Sequence, residues 1–138
     1  KLKEVWSIRT HLQMENNHRD LALFNLAIDS KLRGCDLVSL FVNDVALNTS
    51  IHSRALVRQR KTGRPVQFQI TEQTREAVSA WIAISRRQSA DYLFPSRTDG
   101  ADHLSTRQYA RLISRWVTLI GRMPIYMGPI RFVGPKCH

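Results

Sequence analysis

Leu32-Arg33-Gly34-Cys35-Asp36-Leu37-Val38-Ser39-Leu40, followed further on by Arg60-Lys61-Thr62-Gly63-Arg64, is the pair of stretches on which the fold turns. In the first, an arginine opens a short apolar helix expected over residues 36–40, with Leu37, Val38 and Leu40 facing a core. In the second, Thr62-Gly63 supplies the glycine that a tight hairpin turn needs. The flanks suit that turn. Ala55, Val57 and Gln59 alternate with Leu56 and Arg58, and Val66, Phe68 and Ile70 alternate with Gln67 and Gln69, a period of two that marks strands with one buried face. Residues 42–47, Val-Asn-Asp-Val-Ala-Leu, are expected to add a third strand.

Helical periodicity surrounds this sheet. Val5, Ile8 and Leu12 recur at helical spacing over residues 3–15, and Leu21, Phe24 and Ile28 do so over 18–31, with Asp20 near the start of that helix. Beyond the hairpin, Thr71 can cap a helix running to residue 87 whose stripe is Val78, Trp81 and Ile82. Asp91-Tyr92-Leu93-Phe94-Pro95-Ser96 reads as a short apolar link. Ser105-Thr106-Arg107-Gln108 is a capping box. It opens a helix carrying Tyr109, Leu112, Ile113, Trp116, Val117 and Ile120 on one face, which Gly121 ends. The fold class expected is α+β, mainly helical with a small three-stranded antiparallel sheet, in one domain over residues 1–121.

The chain has 138 residues, 43% of them hydrophobic, enough to bury a core. Lys and Arg number 21 against 11 Asp and Glu, a net charge of +10, and the pI is near 10.6. Arginine supplies most of the excess, and its planar fork suits bidentate phosphate contacts. Such a surface attracts polyanions, nucleic acid first and anionic lipid as the alternative. No segment reads as a membrane span or a secretion signal. Cys35 and Cys137 match no metal-ligand spacing, so a cytoplasmic protein with unpaired thiols and no metal is expected.

Taken alone, Arg33 and Lys61 read as ordinary surface cations. Taken in order, with helix, basic hairpin, helices and the link Leu93-Phe94-Pro95-Ser96, the chain through Gly121 resembles the catalytic domain of the tyrosine recombinases, the phage integrase family. The resemblance implies that Arg33 is the first catalytic arginine and Lys61 the catalytic lysine, with Arg33, Arg58, Arg60, Lys61 and Arg64 meeting DNA. It implies a reaction without metal or cofactor, in which a tyrosine attacks a DNA phosphodiester and is joined to it. Arginines aimed at the non-bridging oxygens would stabilise the transition state, and the lysine would protonate the leaving sugar oxygen. Asp36, one helical turn after Arg33, could orient it through an ion pair. DNA, through its phosphate backbone, is the implied partner, with a full-length recombinase of the same mobile-element type as a second. No small-molecule substrate is implied.

The resemblance stops at Arg122. The family's His-x-x-Arg motif, a further histidine or tryptophan, and the nucleophilic tyrosine should follow the last helix, and none does. Tyr92, Tyr109 and Tyr126 lie in the link, the core stripe and the tail. Residues 122–138 hold prolines at 124, 129 and 135 and follow no usable period. Reverse translation one nucleotide earlier permits Tyr-Gly-Thr-His-Ser-Phe-Arg-Arg-Thr-Lys across Tyr126 to Lys136, the family's motif in its usual surroundings. Loss of the T from a CTG leucine codon followed by G gives CGG, and so yields Arg122 and the tail together. Residues 122–138 are therefore expected to be an out-of-frame, irregular tail, and the chain a truncated recombinase, inactive alone. Two alternatives stand beside it: a non-catalytic DNA-binding or protein-interaction module, and a basic nucleic-acid binder outside this family.

Overall fold

The computed structural model describes residues 2–48, 50–96 and 103–121. The tail read as out-of-frame, with Tyr126 and Cys137, lies outside the described residues.

Helix α1 (Leu2–Met14) buries Ile8 and Leu12 and leaves Trp6 in solvent. Helix α2 (His18–Ser30) is capped by Asn17, whose Oδ1 accepts the Asp20 N–H at 3.3 Å, and ends on Lys31 at φ +56°. Its Leu23, Phe24 and Leu26 are fully buried. Two one-turn helices follow, α3 (Gly34–Val38) and α4 (Val42–Val45). Strands β1 (Ala46–Leu47) and β2 (Ser50–Ile51) pair as one small antiparallel sheet, and β3 (Arg54–Arg58) and β4 (Pro65–Gln69) as another. Helices α5 (Glu72–Ser85) and α6 (Thr106–Gly121) are the last elements among the described residues.

The α+β class, mainly helical with small antiparallel sheets, is what the sequence pattern led to expect. The strand count differs. Residues 42–47 do not form the third strand of one sheet, because the Asp44 carboxylate accepts the Phe41 N–H at 2.8 Å and winds Val42–Val45 into a helical turn. Only Ala46 and Leu47 remain extended, and they pair with β2 rather than with the hairpin. The hairpin keeps the expected faces: Ala55 lies opposite Phe68 and Val57 opposite Val66, with Ala55, Val57 and Phe68 buried.

A single core joins these parts. Phe24 of α2 meets Trp116 of α6 edge to face, ring centres 5.2 Å apart at 79°. Tyr109 and Leu112 continue the buried stripe of α6, which packs on α1 and α3. The expected capping box is present, since Ser105 Oγ accepts the Gln108 N–H and Gln108 Oε1 accepts the Ser105 N–H, both at 3.0 Å. Thr71 occupies the N-cap of α5, but its hydroxyl turns to the Asp29 carboxylate at 2.9 Å instead of capping the helix. The link is tied down from both sides: Leu93 N–H donates to Leu40 O at 2.8 Å, and Trp81 Nε1 donates to Leu93 O at 2.7 Å. Cys35 is half-buried on α3, and the expectation about the two thiols also involves Cys137, which lies outside the described residues.

Candidate DNA-facing site

Arg33 is the N-cap of α3, in extended conformation at φ −65° and ψ 155°, and its carbonyl accepts the Leu37 N–H at 2.9 Å. The guanidinium is half-buried and takes no part in hydrogen bonds or ion pairs among the described residues. The Asp36 ion pair expected for it is not formed. Asp36 is 2% exposed, and its Oδ1 instead accepts the backbone N–H of Arg60 at 2.8 Å. A carboxylate oxygen gains more from an N–H donor than a neutral acceptor does, and more still out of water. That bond spans 24 residues and ties the helix led by Arg33 to the turn that carries Lys61. Asp36 Oδ2 is buried without a partner.

The remaining sequence-identified cations sit on the hairpin. Arg58 ends β3 and donates from Nη1 to Gly63 O at 3.0 Å. Arg60, Lys61 and Arg64 are exposed in the turn, which closes through Gly63 at φ +70°, a conformation that glycine adopts without strain. A cleft of about 460 Å³ runs between α3, α4 and β3, lined by Asp36, Ser39, Phe41, Leu56, Arg58 and Tyr92 among others. Phe41 and Tyr92 stack across one side, ring centres 4.4 Å apart at 20°.

A further set was not read from the sequence. Arg107, Arg111 and Arg115 are all exposed on α6, four residues apart. Residues at that spacing lie one above another on a helix, so they form a basic stripe opposite the apolar one. The spacing itself was the available signal; the apolar stripe took precedence over it.

Of the tyrosines, Tyr92 is held in the aromatic stack, and Tyr109 is 1% exposed, its phenol pushed up to about 12 by burial. At neutral pH Tyr109 is a protonated core residue. Because the folded phenol holds its proton to higher pH than the unfolded one, this group contributes its full stability below pH 10.0 and loses it as pH rises toward about 12. Denaturant unfolding across that interval should show Tyr109→Phe losing about 2–3 kcal/mol less than the parent. Equal losses would place the phenol in contact with water.

Among the described residues no cluster of His, Cys, Asp and Glu could hold a metal ion, and no helix is long and apolar enough to cross a membrane. The Phage integrase family model matches residues 2–131, nearly the whole chain. The chain belongs to the phage integrase family. Among solved structures the domain is similar to that described as "Crystal structure of XerA recombinase", with a TM-score of 0.69 at 20% identity over 94% of this chain. The match covers 45% of that chain, so this integrase-family domain spans less than half the length of its structural relative. No curated protein matches it.

Proposed function

We propose that the chain carries the front part of a site that breaks and rejoins DNA strands through a phosphotyrosine intermediate. Arg33 stabilises charge developing on the non-bridging oxygens of one phosphate, and Lys61 protonates the sugar oxygen that leaves. Arg58, Arg60, Arg64 and the α6 stripe of Arg107, Arg111 and Arg115 hold neighbouring backbone phosphates. The observation that carries this reading is the Asp36–Arg60 hydrogen bond, which joins the elements bearing Arg33 and Lys61 into one unit. Residues 1–121 serve as the partial catalytic domain and 122–138 as the out-of-frame tail, so these 138 residues bind DNA without completing the chemistry. The burial of Tyr109 and the stacking of Tyr92 support that assignment. The same features support a non-catalytic role on DNA, alone or beside a full-length recombinase.

DNA affinity across salt tests the partner. With about eight phosphate contacts, one for each cation named above and each contributing a slope of about 0.9, a fourfold rise in salt should weaken binding about 10⁴-fold, with little dependence on base sequence. Binding indifferent to salt, or absent at low salt, removes DNA as the partner.

A further inference from the structure

The turn that presents Lys61 is pinned on both sides of that residue. Before it, the Arg60 N–H is held by Asp36 Oδ1. After it, Thr62 Oγ1 donates to Gln59 Oε1 at 2.8 Å and accepts the Arg64 N–H at 3.2 Å. The turn backbone closes beneath this bridge: Gly63 N–H donates to Gln59 O at 2.8 Å, and Gln59 N–H to Arg64 O at 2.9 Å. Lys61 lies between the two fixed points, and its own side chain is exposed and engaged with nothing among the described residues. A cation carried on a backbone that is already ordered loses less freedom on meeting a phosphate than one on a mobile loop.

We propose that Thr62 is a positioning residue for Lys61, its hydroxyl fixing the turn so that the ammonium is aimed at a DNA phosphate before DNA arrives. Thr62 itself touches no DNA in this scheme; it acts through the backbone of the residue before it. The proposal rests on the reading of the hairpin as DNA-facing, and the experiment separates the two.

The test is a double-substitution cycle in the 138-residue chain, with affinity for a short duplex measured at low salt for the parent, Lys61→Ala, Thr62→Val and the pair. Valine keeps the shape of threonine and removes its hydroxyl. Lys61→Ala should weaken binding and lower the salt slope by about one contact. Thr62→Val should weaken binding about two- to fivefold when Lys61 is present and leave it unchanged when residue 61 is alanine, the non-additivity of two groups acting as one. Amide exchange at Arg64 should quicken about two- to tenfold in Thr62→Val, the range for one lost hydrogen bond, and Thr62→Ser should restore both readings. A Thr62→Val effect that persists unchanged in the Lys61→Ala background overturns the proposal, as does a serine that fails to rescue. If Lys61→Ala alone leaves affinity and salt slope untouched, the DNA-facing reading of the hairpin falls and takes this proposal with it.

Discussion

Incubated with a nicked duplex that traps cleaved intermediates, the 138-residue chain is expected to form no covalent protein–DNA adduct at any protein concentration. On the proposed reading the effect is all or none, because the part held to be absent from these 138 residues is the nucleophile. Removing a group that only stabilises charge leaves a residual rate, whereas removing the attacking oxygen leaves no covalent route. The two described tyrosines are poor substitutes, Tyr109 being closed in the core and Tyr92 stacked on Phe41. Restoring one base at the Arg122 codon, with the downstream frame intact, should return the His-x-x-Arg motif and the tyrosine, and with them the adduct. An adduct on any tyrosine of the 138-residue chain would overturn the inactive reading. A restored chain that still forms none would overturn the reading frame inferred for residues 122–138.

Stability gives the second large effect. Trp116 is fully buried and meets Phe24 edge to face, joining α6 to α2 in the middle of the core. Trp116→Ala should lower unfolding free energy by about 3–5 kcal/mol, through lost burial and the cavity left behind. Against a total of about 5–15 kcal/mol for a domain, that is enough to leave part of the population unfolded. Trp116→Phe, which keeps the ring contact, should cost far less. Cooperative unfolding by denaturant measures both. A loss below about 1 kcal/mol for alanine would mean that Trp116 is not packed against Phe24 in the core as described. The same helix carries Arg107, Arg111 and Arg115, so its loss should also weaken DNA binding.

What could be read from sequence divides along lines of distance. The hairpin was legible because Ala55, Val57 and Phe68 report their faces through strict alternation, and Gly63 reports the turn. Helix α6 was legible because Ser105 and Gln108 cap it reciprocally and its stripe is long. Residues 42–47 were misread because a short apolar run fits a strand and a helical turn equally. The deciding bond, Phe41 N–H to Asp44, depends on a side-chain orientation that no periodicity encodes. Asp36 was paired with Arg33 because sequence offers only near neighbours as partners. Its actual partner, the Arg60 amide, is brought in by the packing of the hairpin against α3. That substitution of partner changes the reading of the site: Asp36 joins the two candidate elements instead of serving one of them.

The roles assigned to Lys61 and Arg33 differ in a way that one atom can separate. A lysine acting as general acid is needed because a sugar alkoxide is a poor leaving group; a thiolate, whose conjugate acid ionises near about 8.5, leaves without a proton. The decisive measurement is therefore cleavage by the frame-restored chain of a duplex in which sulfur replaces the leaving sugar oxygen. Lys61→Ala should be severely slowed on the oxygen substrate and return close to the parent rate on the sulfur one. Arg33→Ala should stay slow on both, because the non-bridging charge it stabilises is unchanged. A Lys61→Ala chain as slow on sulfur as on oxygen, or an Arg33→Ala chain rescued by sulfur, would contradict the account.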